Sequence, residues 1–288
     1  TMTTLEDLTV LEDANEQTVS LAGIGSGAAN ESETLTLTVT SSNTNLIPGP
    51  QLTYTSPGNA GSISFTPVAD NYGASTITIK VADSGGIASG GVDTLITSFN
   101  VAVTAVNDIP VIASVNDIII LEDAAAQSVA LSNIGSGKDN ETQTITITAI
   151  SSDTTLIADP TVNYSSSNAD GSLAYIPKPD QYGSTTITVT VQDDGGTENS
   201  GVDQDTTTFT ITVTPVNDVP TITALEDLTI LEDASQQTVS LAGISSGKNN
   251  ETQVLTVTAV SNDTTLIANP TISYSSADAT GALVYVPK

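Results

Sequence analysis

Val106-Asn107-Asp108-Ile109-Pro110 and Val216-Asn217-Asp218-Val219-Pro220 decide the architecture of this chain. Each pentad ends a Thr/Val-rich run that alternates like a β-strand, and each opens a new apolar run. The interval between them is 110 residues (216 − 106). The same interval separates LEDAN at 11–15, LEDAA at 121–125 and LEDAS at 231–235, and it separates Tyr54, Tyr164 and Tyr274. Self-similarity at a fixed period means an array of one repeated unit, with the pentads as joints. The expected modules are residues 1–108, 109–218 and a partial third at 219–288.

Within the second copy, 111–121 is an apolar, β-branched run broken by Glu122-Asp123. Strand patterns follow at 127–131, 144–150, 162–165, 172–176, 185–191 and 206–214, separated by Gly/Asn/Asp/Pro turns. Seven short strands with turn signals every 8–12 residues predict an antiparallel sandwich, and no stretch has sustained helical periodicity. The fold class is all-β: tandem seven-strand Greek-key sandwiches in a linear array. The third copy stops at Lys288, the equivalent of Lys178, before the counterparts of its last two strands. The expectation is a segment of a longer chain. The alternative is completion by strand donation from a partner chain, as in a self-assembling filament or surface layer.

Composition narrows the function. The 288 residues carry 33 Asp+Glu against 5 Lys+Arg, a formal charge of −28, with no Cys, His or Trp. That charge repels phosphate backbones and anionic headgroups, so neither nucleic acid nor direct membrane insertion is expected. An enzyme is not expected either: no His or Cys offers a base or nucleophile, and the acids recur in every copy. A lectin-like module would need aromatic faces, and aromatics are 3%. Tyr54, Tyr164 and Tyr274 are expected to pack in the core, and Tyr72 and Tyr182 beneath the joints.

Strand parity places the carboxylates. If the chain enters a module at the top and leaves at the bottom after seven strands, the LED loop, the loop before strand six and the exit pentad share the bottom. The loops after strands two and six share the top, which faces the preceding module's bottom. The first joint then gathers Glu12, Asp13, Asp70, Asn107 and Asp108 from below, and Asp139, Asn140, Glu141, Asp193 and Asp194 from above. The second gathers Glu122, Asp123, Asp180, Asn217 and Asp218 from below, and Asn249, Asn250 and Glu251 from above. Such a set of hard oxygens suits calcium, which takes six to eight of them in irregular geometry; zinc would want Cys or His. A turn at Asn-Asp-x-Pro and a solvated Glu-Asp loop are the plainer readings of each motif taken alone. The sequons at Asn30, Asn140 and Asn250 coincide with the top-loop positions and are read as metal-loop residues first.

The VND-Pro joints, the LED acid pair, the D-x-Y-G loops (Asp70-Asn71-Tyr72-Gly73, Asp180-Gln181-Tyr182-Gly183) and the D-x-G-G loop resemble cadherin-like and bacterial Ig-like tandem repeats of large surface adhesins. The resemblance covers essentially the whole chain. It implies Greek-key modules stiffened by inter-module calcium, with ligands at Glu12, Glu122, Asn107, Asp108, Asn217, Asp218 and Asp193. One departure stands out. Where bacterial relatives often carry Asp-x-Asp-Gly-Asp after strand two, this chain has Asp139-Asn140-Glu141-Thr142-Gln143, and Ala29-Asn30-Glu31 in the first copy. The expected role is a calcium-stiffened extracellular spacer on a cell surface, partnered by neighbouring repeats or by further copies in a homo-oligomer.

Overall fold

Runs in which Thr alternates with Val or Ile become strands with one buried and one solvated face, because successive strand side chains point to opposite sides of a sheet. The computed structural model describes residues 1–27, 31, 33–88 and 91–288. In the first module the strands are β1 (Leu8–Leu11), β2 (Gln17–Ala22), β3 (Leu35–Ser41), β4 (Gln51–Thr53), β5 (Ala60–Phe65), β6 (Gly73–Asp83) and β7 (Thr94–Thr104). They form two sheets, ordered β1-β7-β6-β3 and β2-β5-β4. The pairing is antiparallel except for β1, which runs parallel to β7 with Leu8 opposite Val101. The chain crosses between the sheets after β1, β2, β3 and β5, while β4-β5 and β6-β7 pair as neighbours within one sheet, which makes a Greek-key sandwich.

The second module repeats the plan with β8 (Ile118–Leu121), β9 (Gln127–Leu131), β10 (Thr146–Ser151), β11 (Thr161–Asn163), β12 (Gly171–Tyr175), β13 (Gly183–Gln192) and β14 (Gln204–Thr214). Its sheets are β10-β13-β14-β8 and β11-β12-β9. Each module closes on its own core. Leu21, Ile63, Ile77 and Phe99 in the first are matched by Leu131, Leu173, Ile187 and Phe209 in the second, all fully buried. Burial of side chains this size stabilises by roughly 1.5–3 kcal/mol each.

The stretch 111–121 is not one strand. Val111 exchanges backbone hydrogen bonds with Gly135 (2.9 and 3.1 Å), and Ala113 N–H donates to Ser132 O, so this part lies along the β9 edge. After Asn116-Asp117 the chain crosses to the other sheet, where β8 pairs with β14. Asp117 holds the crossing by accepting the Thr210 N–H at 2.7 Å; Asp7 does the same for Asn100 in the first module. One segment thus covers an edge of both sheets, which blunts edge-to-edge pairing.

Tyr54 and Tyr164 follow β4 and β11 and pack half-buried against the two cores. Their rings lie over Gly61 and Gly171, where an added Cβ would stand 3.4 and 3.2 Å from ring carbons. Aromatic cover of a strand glycine restores the packing that the missing side chain leaves open.

In the third module β15 (Gln237–Ala242), β16 (Thr271–Ser273) and β17 (Thr280–Tyr285) form one sheet, ordered β15-β17-β16. Residues 228–231 and 256–261, the counterparts of β8 and β10, form no strand. Among the described residues no helix is long and apolar enough to cross a membrane.

Candidate metal centre at the module joints

The first joint is built from the ends of strands. Glu12 follows β1, and its N–H donates to Thr104 O at the end of β7, which aims the side chain at the linker. Its Oε1 accepts the Val106 N–H at 2.8 Å and its Oε2 the Asn140 amide of the next module at 3.1 Å, leaving Glu12 2% exposed. Asp13 and Asp70 occupy the left-handed backbone region (φ 61° and 56°), as Asp123 and Asp180 do in the second module (58° and 56°). Asp tolerates this region better than most residues, and tight turns exploit it. The turns bring the two carboxylates together, and the Asp70 N–H donates to Asp13 Oδ1 at 3.0 Å.

From above, Glu141 Oε1 accepts the Asp108 N–H at 2.9 Å and the Gln143 amide at 3.0 Å. The Asn107 amide donates to Asp193 Oδ1 (3.0 Å) and to Val202 O (2.8 Å), and its Oδ1 accepts from Gln143 at 2.9 Å. A Cβ at Gly195 would fall inside the Asn107 amide, so only glycine admits the linker this closely. These contacts surround a cleft of about 280 Å³ lined by Glu12, Tyr72, Asn107, Asn140, Glu141 and Gln143.

Several oxygens at this joint are buried with no hydrogen-bond donor among the described residues: Asn140 Oδ1, Glu141 Oε2 and Gln143 Oε1 of residues lining the cleft, and Asp108 Oδ2 and Asp193 Oδ2 beside it. Asp193 as a whole is 5% exposed. The second joint repeats the pattern at Asp218 Oδ2, Asn250 Oδ1 and Glu251 Oε2. There Glu122 accepts from Val216 N–H (2.6 Å) and Asn250 (2.7 Å), and Glu251 accepts from Asp218 N–H (2.6 Å). Leaving a buried polar atom unpaired costs about 1–3 kcal/mol, more for a charged group, and recurrence at both joints argues against accident.

The electrostatics agree. Burial pushes the Glu12 carboxyl above its ordinary range against the pull of the Val106 N–H, and Asp13, Asp108 and Glu141 push it further. Asp108 is raised by burial and then by Glu141 and Asp70, with Lys138 opposing. Oxygens of Asp13, Asp70 and Asp108 lie within 4.8 Å of one another, as do those of Asp123, Asp180 and Asp218. Two like charges about 4 Å apart repel by about 4 kcal/mol at an effective dielectric of about 20.

The structure brings Glu12, Asp13, Asp70, Asn107, Asp108, Asn140, Glu141 and Asp193 to one joint, and Glu122, Asp123, Asp180, Asp218, Asn250 and Glu251 to the other. Asp139 is exposed, and Asp194 turns back onto its own module to accept the Thr144 N–H at 2.7 Å. The Asn217 amide donates to the adjacent Asp218 O at 3.0 Å. Asn249 is exposed. Ala29 and Asn30 lie outside the described residues. Tyr72 and Tyr182 are more exposed than expected, at 56% and 52%. Sequence reasoning passed over Gln143, Lys138 and Lys248 as joint residues. The 110-residue spacing of Lys138 and Lys248 is shared by Lys178 and Lys288, so it did not single out the joint lysines.

No protein-family model matches the chain, and no curated protein matches it. Among solved structures, mouse cadherin-23 EC22-24 is 14% identical with a TM-score of 0.44, covering 99% of this chain and 85% of that one. Human mucin-like protocadherin EC1-2 is 14% identical with a TM-score of 0.37, covering 75% and 98%. The human desmocollin-1 ectodomain is 11% identical with a TM-score of 0.37, covering 99% and 52%. The fold assignment rests on the strand order and pairing of this chain itself.

Proposed function

We propose that the chain is a calcium-stiffened extracellular spacer from a bacterial surface adhesin, with ions held where one module meets the next. The observation that carries this reading is the set of buried oxygens with no donor among the described residues at the first joint, Asp108 on the linker and Asn140, Glu141, Gln143 and Asp193 on the second module, with a matching set at the second joint. Carboxylate and amide oxygens are the donor set of a hard cation, and a chain without Cys or His is a poor host for zinc. Asp108, Asn140 and Glu141 would hold the ion at the first joint, with Glu12, Asn107, Gln143 and Asp193 around them. Asp218, Asn250 and Glu251 would hold it at the second.

A bound calcium supplies positive charge that neutralises carboxylates of both modules at once. The chain's own residues do the rest. Glu12 fixes the linker through Val106 N–H, and Glu141 fixes it through Asp108 N–H, so the ligands are oriented before an ion arrives. The adhesin setting and the surface location come from the sequence resemblance, and neighbouring repeats are the natural partners. The spacer reading needs no enzymatic activity.

Small-angle scattering with millimolar calcium and with chelator tests the proposal. The expected result is a longer, stiffer particle with calcium. Calcium at about 100 times its Kd should add about 2.7 kcal/mol per site, raising Tm by about 10 °C. Identical curves and melts would reduce the acids to a solvated surface. Mass that grows with concentration would favour the filament reading instead.

A further inference from the structure

We propose that Lys138 and Lys248 are tethered cations: at each joint the lysine ammonium occupies a pole that three carboxylates would otherwise offer to a divalent ion. The lysine thereby sets how many ions a joint takes. This rests on the calcium reading for the neighbouring pole and adds a different occupant for this one.

The placement is specific. Four of the chain's five Lys+Arg fall in pairs 110 residues apart, Lys138/Lys248 and Lys178/Lys288, and the first pair donates across the joints. Lys138 Nζ stands 3.0 Å from Asp70 Oδ2, and Lys248 Nζ stands 3.1 and 3.2 Å from the two oxygens of Asp180. In both cases the lysine belongs to the upper module and the aspartate to the lower, so the pair straps the modules together. Asp70 is one corner of the Asp13–Asp70–Asp108 triad, and Asp180 one corner of Asp123–Asp180–Asp218. The Asp70 N–H bond to Asp13 and the Asp180 N–H bond to Asp123, both 3.0 Å, hold each triad in place independently of the lysine. Each ammonium feels the whole triad: its pKa is raised first by its bonded aspartate, with contributions from the other two.

The two poles of a joint therefore differ in kind. Toward Glu141 and Asp193, oxygens are buried with no donor. Toward Asp70, the charge is already met by a side chain that is half exposed. Asp108 sits between them, one oxygen orphaned and its carboxyl sensing both Glu141 and Lys138. A tethered ammonium acts at an effective concentration on the order of millimolar, so it competes with dissolved calcium for its pole at comparable levels. It also cannot be chelated away, which leaves half of each joint bridged when metal is withdrawn.

The test is the calcium stoichiometry of the full 288-residue chain by equilibrium dialysis, against the double variants K138M/K248M and K138Q/K248Q, with K138R/K248R as the charge-retaining control. The expected result is one more bound ion per joint in the Met and Gln variants, and wild-type stoichiometry in the Arg variant. Wild-type binding with no gain in the variants overturns the lysine proposal and leaves the calcium reading standing. No binding in the wild type but new sites in the variants upholds the lysine as the occupant and removes the calcium reading for the native chain. No binding in either overturns both. Chelated melts of each variant verify that the half-exposed substitutions keep the fold.

Discussion

Residues 5–14 and 225–234 differ at one position in ten, Val10 against Ile230, yet they adopt different structures. In the first module, Leu8–Leu11 is a strand parallel to β7, Val10 is 8% exposed and Glu12 is 2% exposed. In the third, residues 228–231 form no strand, Leu228 and Leu231 are 59% and 82% exposed, and Glu232 is exposed. Local propensity is the same, so it does not decide the outcome. What differs is the neighbour: β7 supplies the partner backbone in one case, and no described strand pairs with residues 228–231 in the other. The burial of Glu12, and with it the joint chemistry, is thus a property of the assembled module and linker.

The largest effect should come from supplying the missing neighbour. Residues 179–218 appended after Lys288 would extend the third module with the second module's last two strands and linker. Amide exchange at 228–231 should then slow by at least about 100-fold, as a solvated segment becomes a paired strand. Unchanged exchange would mean that pairing is not what orders this stretch.

Next comes a matched pair of substitutions. Glu12→Ala removes the acceptor for Val106 N–H and Asn140 and should destabilise by about 2 kcal/mol in urea titrations. Glu232→Ala, at the equivalent but exposed position, should stay within about 0.5 kcal/mol. Equal effects would erase the distinction drawn above.

The smallest effect is with pH. Glu12 and Asp108 titrate above their ordinary range in the folded chain, so the folded state binds these protons more tightly than the unfolded one. Without metal, stability therefore rises as pH falls toward the carboxylate range, and Tm should be a few degrees higher near about pH 5 than about pH 7. Asp153 and Asp263, held low by the Thr155 and Thr265 hydroxyls, give up their contribution only as pH falls through their own lower values. With calcium the order should invert, because protons compete with the ion for the same oxygens. A flat profile in chelator would mean that Glu12 is not desolvated.

Much of this was legible before any coordinates. The 110-residue period set the modules, alternating Thr and Val or Ile set the strands, and counting strand parity placed Glu12, Asp108, Glu141 and Asp193 at one joint. Parity works because each sandwich strand reverses direction, so loops sort between two ends by count alone. The crossing at Asn116-Asp117 was not legible, since both halves of 111–121 are apolar and β-branched, and only the available edges show where each pairs. Lys138 was not legible either. Its loop was placed correctly, but a long flexible side chain 68 residues from Asp70 has no sequence signature of its partner. Tertiary structure alone decided which oxygens were left without donors, because hydrogen-bond satisfaction depends on ångström distances between loops. Sequence determined which groups meet at the joints; packing determined which of them remain unpaired there.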